Sequence, residues 1–197
     1  MLILKKLNPH SQVLEKIKRF FFDKITPLYG DQTKAITKLI EAKDRTCIVL
    51  MQDSDPLGLV VYKKHLTDEF EKFGLRKYFE IKTLALIDPE ANSGNRYGSL
   101  LLLSATKEAV RMNAEGLFVT VSSGKPEAYR FFSKMGFKPA QSVKNLYKQG
   151  FDEVYFAHND PSQLLIYLST KKGYPIELLR RLKDRNNIHT PLAHVTS

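Results

Sequence analysis

The segment Ser93–Ala109, "SGNRYGSLLLLSATKEA", sets two glycines, Gly94 and Gly98, and one strong cation, Arg96, ahead of four consecutive leucines. Glycine lets a main chain approach a ligand closely. A helix N-terminus presents unpaired N–H groups and a positive dipole end to an anion. The chemistry on offer is the cradling of a phosphate. A plain turn before a buried helix would read the same way, and two glycines do not decide between them. Other residue types offer less. His10, His65, His158, His189 and His194 show no metal-ligand spacing and have no cysteine partners, so no metal is expected. Cys47, the only cysteine, stands in "TCIVLM" and reads as a buried strand thiol. There is no nucleophile elbow, Walker loop or complete dinucleotide fingerprint.

The elements around this loop follow from apolar spacing. "MLILKKL" reads as a strand and "SQVLEKIKRFFFDKI" as a helix with Val13, Ile17, Phe20, Phe21 and Ile25 on one side. Pro27 and Gly30 punctuate a turn. "DQTKAITKLIEAK" is a second helix, with Asp31 as N-cap and Ile36, Leu39 and Ile40 as its stripe. "RTCIVLMQ" and "LGLVVYK" form a hairpin about "DSDP". "HLTDEFEKFGLRK" is polar and ambiguous. From residue 78 the order is strand, helix, strand, helix, strand. "YFEIKTLALI" carries Glu80, the leucine-rich helix is expected to stop at Gly116, "LFVTVSS" follows, and a short helix closes at Gly136. "FKPAQSVKNLYKQG" and "DEVYFAHN" end the series. The expected fold is α/β: a mixed, mostly antiparallel sheet with helices on both faces. Residues 1–159 are expected to form the main domain. Residues 160–197 are expected to form a basic helical C-terminal extension, with six Lys/Arg against three Asp/Glu. Leu164, Leu165, Leu168, Leu179 and Leu182 would seat that extension on the domain.

A strand with an internal carboxylate, a glycine loop, a helix start at Gly98 and the later segment "AYRFFSKMGF", Ala128 to Phe137, occur here in one order. In that order and spacing the chain resembles the GNAT superfamily of acetyl-CoA-dependent N-acetyltransferases. That family carries an R/Q-x-x-G-x-G/A loop after its fourth strand and an "A-x-x-(F/Y)-(F/Y)-x-K-x-G-F" segment after its fifth. The resemblance covers roughly residues 1–158. It departs from the family at Arg96, which replaces the first glycine, and at Ser93, which replaces Arg or Gln. The loop from Pro89 is one residue longer than the common form, and Phe132 stands where many members have a tyrosine acid.

The resemblance implies a GNAT-like fold, acetyl-CoA as co-substrate, and direct transfer of acetyl to a primary amine. Ser93, Gly94, Asn95, Arg96, Tyr97, Gly98 and Ser99 would hold the phosphates. The main chain of Leu86 and Ile87 would contact the thioester end. Ser122 and Ser123 fall near a family asparagine at the end of the fifth strand. An amine must lose a proton before it attacks. Glu80 matches the base of the histone-acetyltransferase branch; a strand-surface carboxylate paired with a lysine is the alternative. Tyr129, one turn before Phe132, is the acid candidate or else a wall residue, and Tyr147 and Tyr155 are further donors. A second function class is a catalytically silent acyl-CoA-binding or interaction domain, which the loss of the tyrosine at Phe132 would permit.

Composition bounds the partners. The chain has 197 residues, 43% hydrophobic, and a formal net charge of +10. Such charge suits a polyanionic or nucleic-acid partner, such as aminoacyl-tRNA, or simply a solvated surface. A protein lysine or N-terminus, a polyamine and an aminoglycoside remain open as acceptors, as does a homodimer built through the tail. No signal peptide and no segment of membrane-spanning length is read, so a soluble, cytoplasmic protein is expected.

Overall fold

The structure is a computed structural model that describes residues 2–41, 43–67, 76–90 and 94–170. Seven strands form one sheet in the order β1-β2-β3-β4-β5-β7-β6. They are β1 (Leu2–Lys6), β2 (Arg45–Gln52), β3 (Asp55–Lys63), β4 (Tyr78–Leu86), β5 (Gly116–Ser122), β6 (Lys138–Lys144) and β7 (Asp152–His158). All neighbours are antiparallel except β4 and β5, which run parallel. A parallel pair needs a crossover, and α4 (Tyr97–Arg111) supplies it.

Strand alternation divides the core into two layers. Val60, Tyr62, Phe79, Ile81, Leu117, Val119, Val121 and Phe156 face α4, α5 (Pro126–Lys134) and α6 (Pro161–Thr170). All four leucines of α4, Leu100 to Leu103, are solvent-free, so this helix is apolar nearly all round, as a central helix must be. Cys47, Val49, Met51, Leu59 and Val61 face the other way. They meet α1 (Gln12–Phe20) and α3 (Thr33–Glu41) through Ile17, Phe20, Ile36 and Leu39. Cys47 is the buried thiol the sequence indicates, pushed up to about 12 by burial. Ile40, expected in the α3 stripe, is exposed.

Two local expectations are corrected. The first helix does not turn at Pro27. It passes through a π-helical turn, Phe21–Ile25, into α2 (Thr26–Tyr29), which ends at Gly30 with φ of 74°. Proline lacks an N–H and is tolerated where a helical segment starts, which is where the wider turn leaves it. Gly116 is not the stop of α4. That role falls to Asn113, in the left-handed region at φ 54°. Gly116 instead opens β5, because a Cβ there would lie 2.5 Å from the Tyr78 ring.

Of the expected extension, α6 lies on α4 with Leu164 and Leu168 in the main core. Residues 171–197, with Leu179 and Leu182, lie outside the described residues, as does most of "HLTDEFEKFGLRK". Among the described residues no helix is long and apolar enough to cross a membrane.

Candidate active site

The parallel pair does not run the length of its strands. Tyr78 to Ile81 of β4 pair with Gly116 to Val119 of β5, and pairing stops there. The cause lies on the other edge of β4. Val61 of β3 faces Thr83 while Tyr62 faces Ile81, so Lys82 is an extra residue opposite the β3 ladder. A bulge of this kind bends its strand and increases its twist. Beyond it, β4 stays with β3 and β5 stays with β7, and a gap opens between their C-terminal ends.

The register decides which main-chain groups face this gap. Ile87 donates its N–H to the Leu57 carbonyl at 2.9 Å, making 57/87 a hydrogen-bonded pair. Alternation in an antiparallel ladder then turns the N–H and C=O of Leu86 and Leu84 away from β3 and into the gap. On the far side Ser123 donates to the Asp152 carbonyl at 2.8 Å, so Thr120 turns its main chain toward the gap; Ser122 is oriented likewise, but its carbonyl accepts Lys125 N–H at 3.0 Å. Leu86 thus presents its main chain to the gap. Ile87 has its N–H engaged elsewhere. Leu84 and Thr120 also present their main chains to the gap, which only pairing register reveals.

α4 follows β4 after the connection 87–96, so it starts from the end of the sheet at which β4 and β5 part. The first N–H groups of a helix have no intrahelical partner. Here they belong to Tyr97, Gly98 and Ser99, since Leu100 N–H already bonds the Arg96 carbonyl at 3.1 Å. Arg96 is the N-cap residue at φ 57°, a conformation where glycine is at ease. That explains why a glycine is the usual residue there. Gly94 has φ 81° and open space around its α-carbon. A Cβ at Gly98 would meet the Phe131 ring at 3.3 Å, so α4 begins tight against α5. Gly94, Asn95 and Arg96 are exposed and Ser99 is buried; Ser93 lies outside the described residues. A bare helix start with an exposed cation, next to a gap faced by the main chains of Leu84, Leu86 and Thr120, fits a phosphate-bearing thioester cofactor. Ser123 is less available, because Asp152 N–H donates to its hydroxyl at 3.1 Å.

Glu80 and Tyr129 are not brought together. Phe79 and Ile81 sit under α4, so Glu80 faces the opposite side of the sheet. It is 3% exposed and held by two lysines, Lys82 Nζ at 2.6 Å and Lys63 Nζ at 2.8 Å. Burial pushes the carboxyl up, but the Lys82 charge and the bonds from both lysines outweigh it and hold it below its ordinary value. Tyr129, in the first turn of α5, packs edge-on against Phe156 at 4.7 Å on the α4 side and is 42% exposed. Phe132 is buried in the core. Tyr155 is buried with Phe118, and Tyr147 is exposed with its ring 5.9 Å from Tyr29.

No protein-family model matches the chain, and no curated protein matches its sequence. Solved structures do match it in shape. NAA60 of Arabidopsis thaliana, in complex with acetyl-CoA, superposes with a TM-score of 0.67 at 16% identity, over 80% of this chain and 98% of that one. A protein from Desulfovibrio desulfuricans assigned to the GNAT family of acetyltransferases gives 0.64 at 14% identity, over 81% and 99%. An aminoglycoside 6'-acetyltransferase type Ii gives 0.61 at 14% identity, over 80% and 96%. The parted parallel strands and the helix starting at their mouth thus occur in a chain with the GNAT acetyltransferase fold.

Proposed function

We propose that this protein transfers acetyl from acetyl-CoA directly to a primary amine. The observation that carries this is the parting of β4 from β5 after Ile81 and Val119, at the mouth of which α4 begins. A cofactor arm lying in that gap could pair with the main chains of Leu84 and Leu86, and its phosphates with the first N–H groups of α4. The gap passes between the two faces of the sheet. An amine approaching from the Glu80 face would attack with the sulfur leaving toward α5, where Tyr129 is the candidate to protonate it. Glu80, kept ionised by two lysines, is a weak proton acceptor; its proposed role is to hold Lys63 and Lys82 beside the bulge. Residues 1–159 would form the transferase domain, and 160–197 an extension rooted in it by α6.

The neighbours named above include an aminoglycoside acetyltransferase, and a spermidine N-acetyltransferase is also similar in shape. These acceptors belong in the test, with peptides bearing a free N-terminus or lysine and with aminoacyl-tRNA. The expected result is thermal stabilisation by acetyl-CoA and transfer of radiolabelled acetyl to at least one amine. Stabilisation without transfer to any of them would favour a silent acyl-CoA-binding domain. No stabilisation at millimolar acetyl-CoA would dismiss both.

A further inference from the structure

One strand from the gap stands a second carboxylate. Glu153 of β7 stands opposite Ser122 of β5. The neighbouring pair, Ser123 and Asp152, is the hydrogen-bonded one, so 122/153 is a non-hydrogen-bonded pair, in which side chains come closest. Glu153 is wholly screened from solvent; among the described residues the Ser122 hydroxyl lies beside it, but neither carboxylate oxygen accepts a hydrogen bond of good geometry. Buried polar atoms are nearly always partnered, and an orphaned carboxylate is costly. A ligand that brings the donors would account for it.

The surroundings fit that ligand. Tyr29, at the end of α2, is electrostatically coupled to Glu153 and lies against the main chain of Ser122. Tyr147, from the connection between β6 and β7, stacks edge-on against Tyr29, and Lys148 Nζ bonds the Pro27 carbonyl at 2.6 Å. The other charged groups facing this niche are Asp152 beside Glu153 and Glu127 of α5, which acts on Tyr29. Besides burial, the groups that set the proton affinity of Glu153 are the Ser122 hydroxyl and Asp152, and neither is a cation. The niche is an anion without its counter-ion, one strand from the gap, on the face from which the amine approaches.

We propose that Glu153 binds the ammonium group of the acceptor and takes the proton it must lose before attack. This rests on the acetyl-transfer function proposed above. The ammonium gives one proton to a Glu153 oxygen. The freed lone pair attacks the thioester carbon, the C–N bond forms, the C–S bond breaks, and sulfur leaves with the electron pair. Sulfur takes a proton from the Tyr129 hydroxyl, the excess proton on nitrogen is released to solvent, from which Tyr129 is reprotonated, and Glu153 returns its proton to solvent, giving amide and thiol. Burial pushes the carboxyl up to about 7, with Ser122 opposing and Asp152 adding, which suits a base working near neutrality. Glu80, with lysine ammonium groups at 2.6 and 2.8 Å, already has its counter-ions and lacks that proton affinity.

The test compares wild type, Glu153→Gln, Glu153→Asp and Glu80→Gln. Glutamine has the same shape and removes only the charge, so far-UV circular dichroism should be unchanged. Infrared difference titration, wild type minus Glu153→Gln, reads the carboxyl directly and needs no acceptor. A midpoint near pH 7 is expected, and one at the ordinary 4.5 would overturn the assignment. With an amine that wild type acetylates, spermidine being the first probe, kcat/KM should rise through about pH 7. Glu153→Gln should lose roughly 100-fold and the rise with it, while stabilisation by acetyl-CoA is retained. Glu153→Asp should recover part of the loss and Glu80→Gln should keep the rise. A Glu153→Gln profile within about threefold of wild type and of the same shape would also overturn it. If wild type acetylates nothing and ignores acetyl-CoA, it is the transferase function that falls, and the infrared midpoint still decides whether Glu153 is a proton acceptor near neutrality.

Discussion

Glu80 and Glu153 face the same side of one sheet with β5 between them, and their charges are handled in opposite ways. Glu80 is clamped by Lys63 and Lys82. Glu153 has the Ser122 hydroxyl beside it but, among the described residues, no hydrogen bond of good geometry. The first carboxylate is therefore held charged and the second is pushed toward neutrality. Two acids near one reaction centre whose proton affinities are driven apart are a recurring basis for divided roles.

The stability of the fold should report Glu153 directly. Its folded pKa is raised from 4.5 to about 7. A group of this kind favours the folded state fully below its unfolded value, and that contribution is lost as pH rises through the folded value. Glu153→Gln should therefore be more stable than wild type at pH 8, and the difference should vanish near pH 4. With screening allowed for, the gain is about 1–2 kcal/mol, or roughly 2–8 °C in Tm for a domain of this size. Thermal melts of both proteins across this range are the measurement, and equal melting points at pH 8 would count against a buried, unpaired Glu153.

Glu80 should show the reverse sign. Its folded pKa is lowered, so its stabilising contribution is present above the unfolded value of 4.5 and lost as pH falls through the folded one. Wild type should lose stability below about pH 4.5 more steeply than Glu80→Gln. Lys63→Met, which strips one cation from a buried pair while Lys82 remains, should cost about 1–3 kcal/mol at pH 7. Urea unfolding of Lys63→Met, Glu80→Gln and the double variant checks this. The double variant should be less destabilised than the sum, because the charge left uncompensated by the first change is removed by the second.

The sequence made the layers legible and left the site half-read. Apolar spacing at Ile17, Phe20, Ile36 and Leu39, and the run Leu100 to Leu103, predicts which helices are buried, since burial writes itself into local period. Glu80 was visible as a carboxylate in a strand, and its pairing with lysine was one of two alternatives. Lys63, 17 residues upstream, reaches it only because β3 pairs with β4. Glu153 stood out in no pattern. Its significance comes from lying opposite Ser122 and near Tyr29, and those three residues are brought together by strand register and helix docking. The π-helical turn before Pro27 was equally hidden, because its wider spacing has no compositional mark.

Arg96 combines a backbone conformation that favours glycine with a cationic side chain at the start of α4. A non-glycine residue in the left-handed region costs about 1 kcal/mol. Arg96→Gly should therefore leave the unliganded fold as stable as wild type or more stable by up to about 1 kcal/mol. The same change removes a charge from the proposed phosphate cradle, so the Kd for acetyl-CoA should weaken by roughly 3–10-fold at low salt and by less at high salt. Calorimetric titration at two salt concentrations separates the effects. An unchanged Kd at low salt would show that the main chain alone holds the phosphates.

Tyr129 tests whether the sulfur leaves toward α5. Its ring is fixed edge-on against Phe156, and phenylalanine would keep that contact, so Tyr129→Phe should melt within about 1–2 °C of wild type. The hydroxyl is the only group removed. If it protonates the leaving thiolate, kcat should fall roughly 10–100-fold with acetyl-CoA binding unchanged. The rise of kcat/KM near pH 7 should persist, because that rise belongs to a group on the other face of the sheet. A thiol is also a far better leaving group than an amine, so residual activity should be measurable. A variant with wild-type kcat would return Tyr129 to a packing role and leave the thiolate to depart unprotonated; one that lost the rise near pH 7 would mean that the two faces do not act separately.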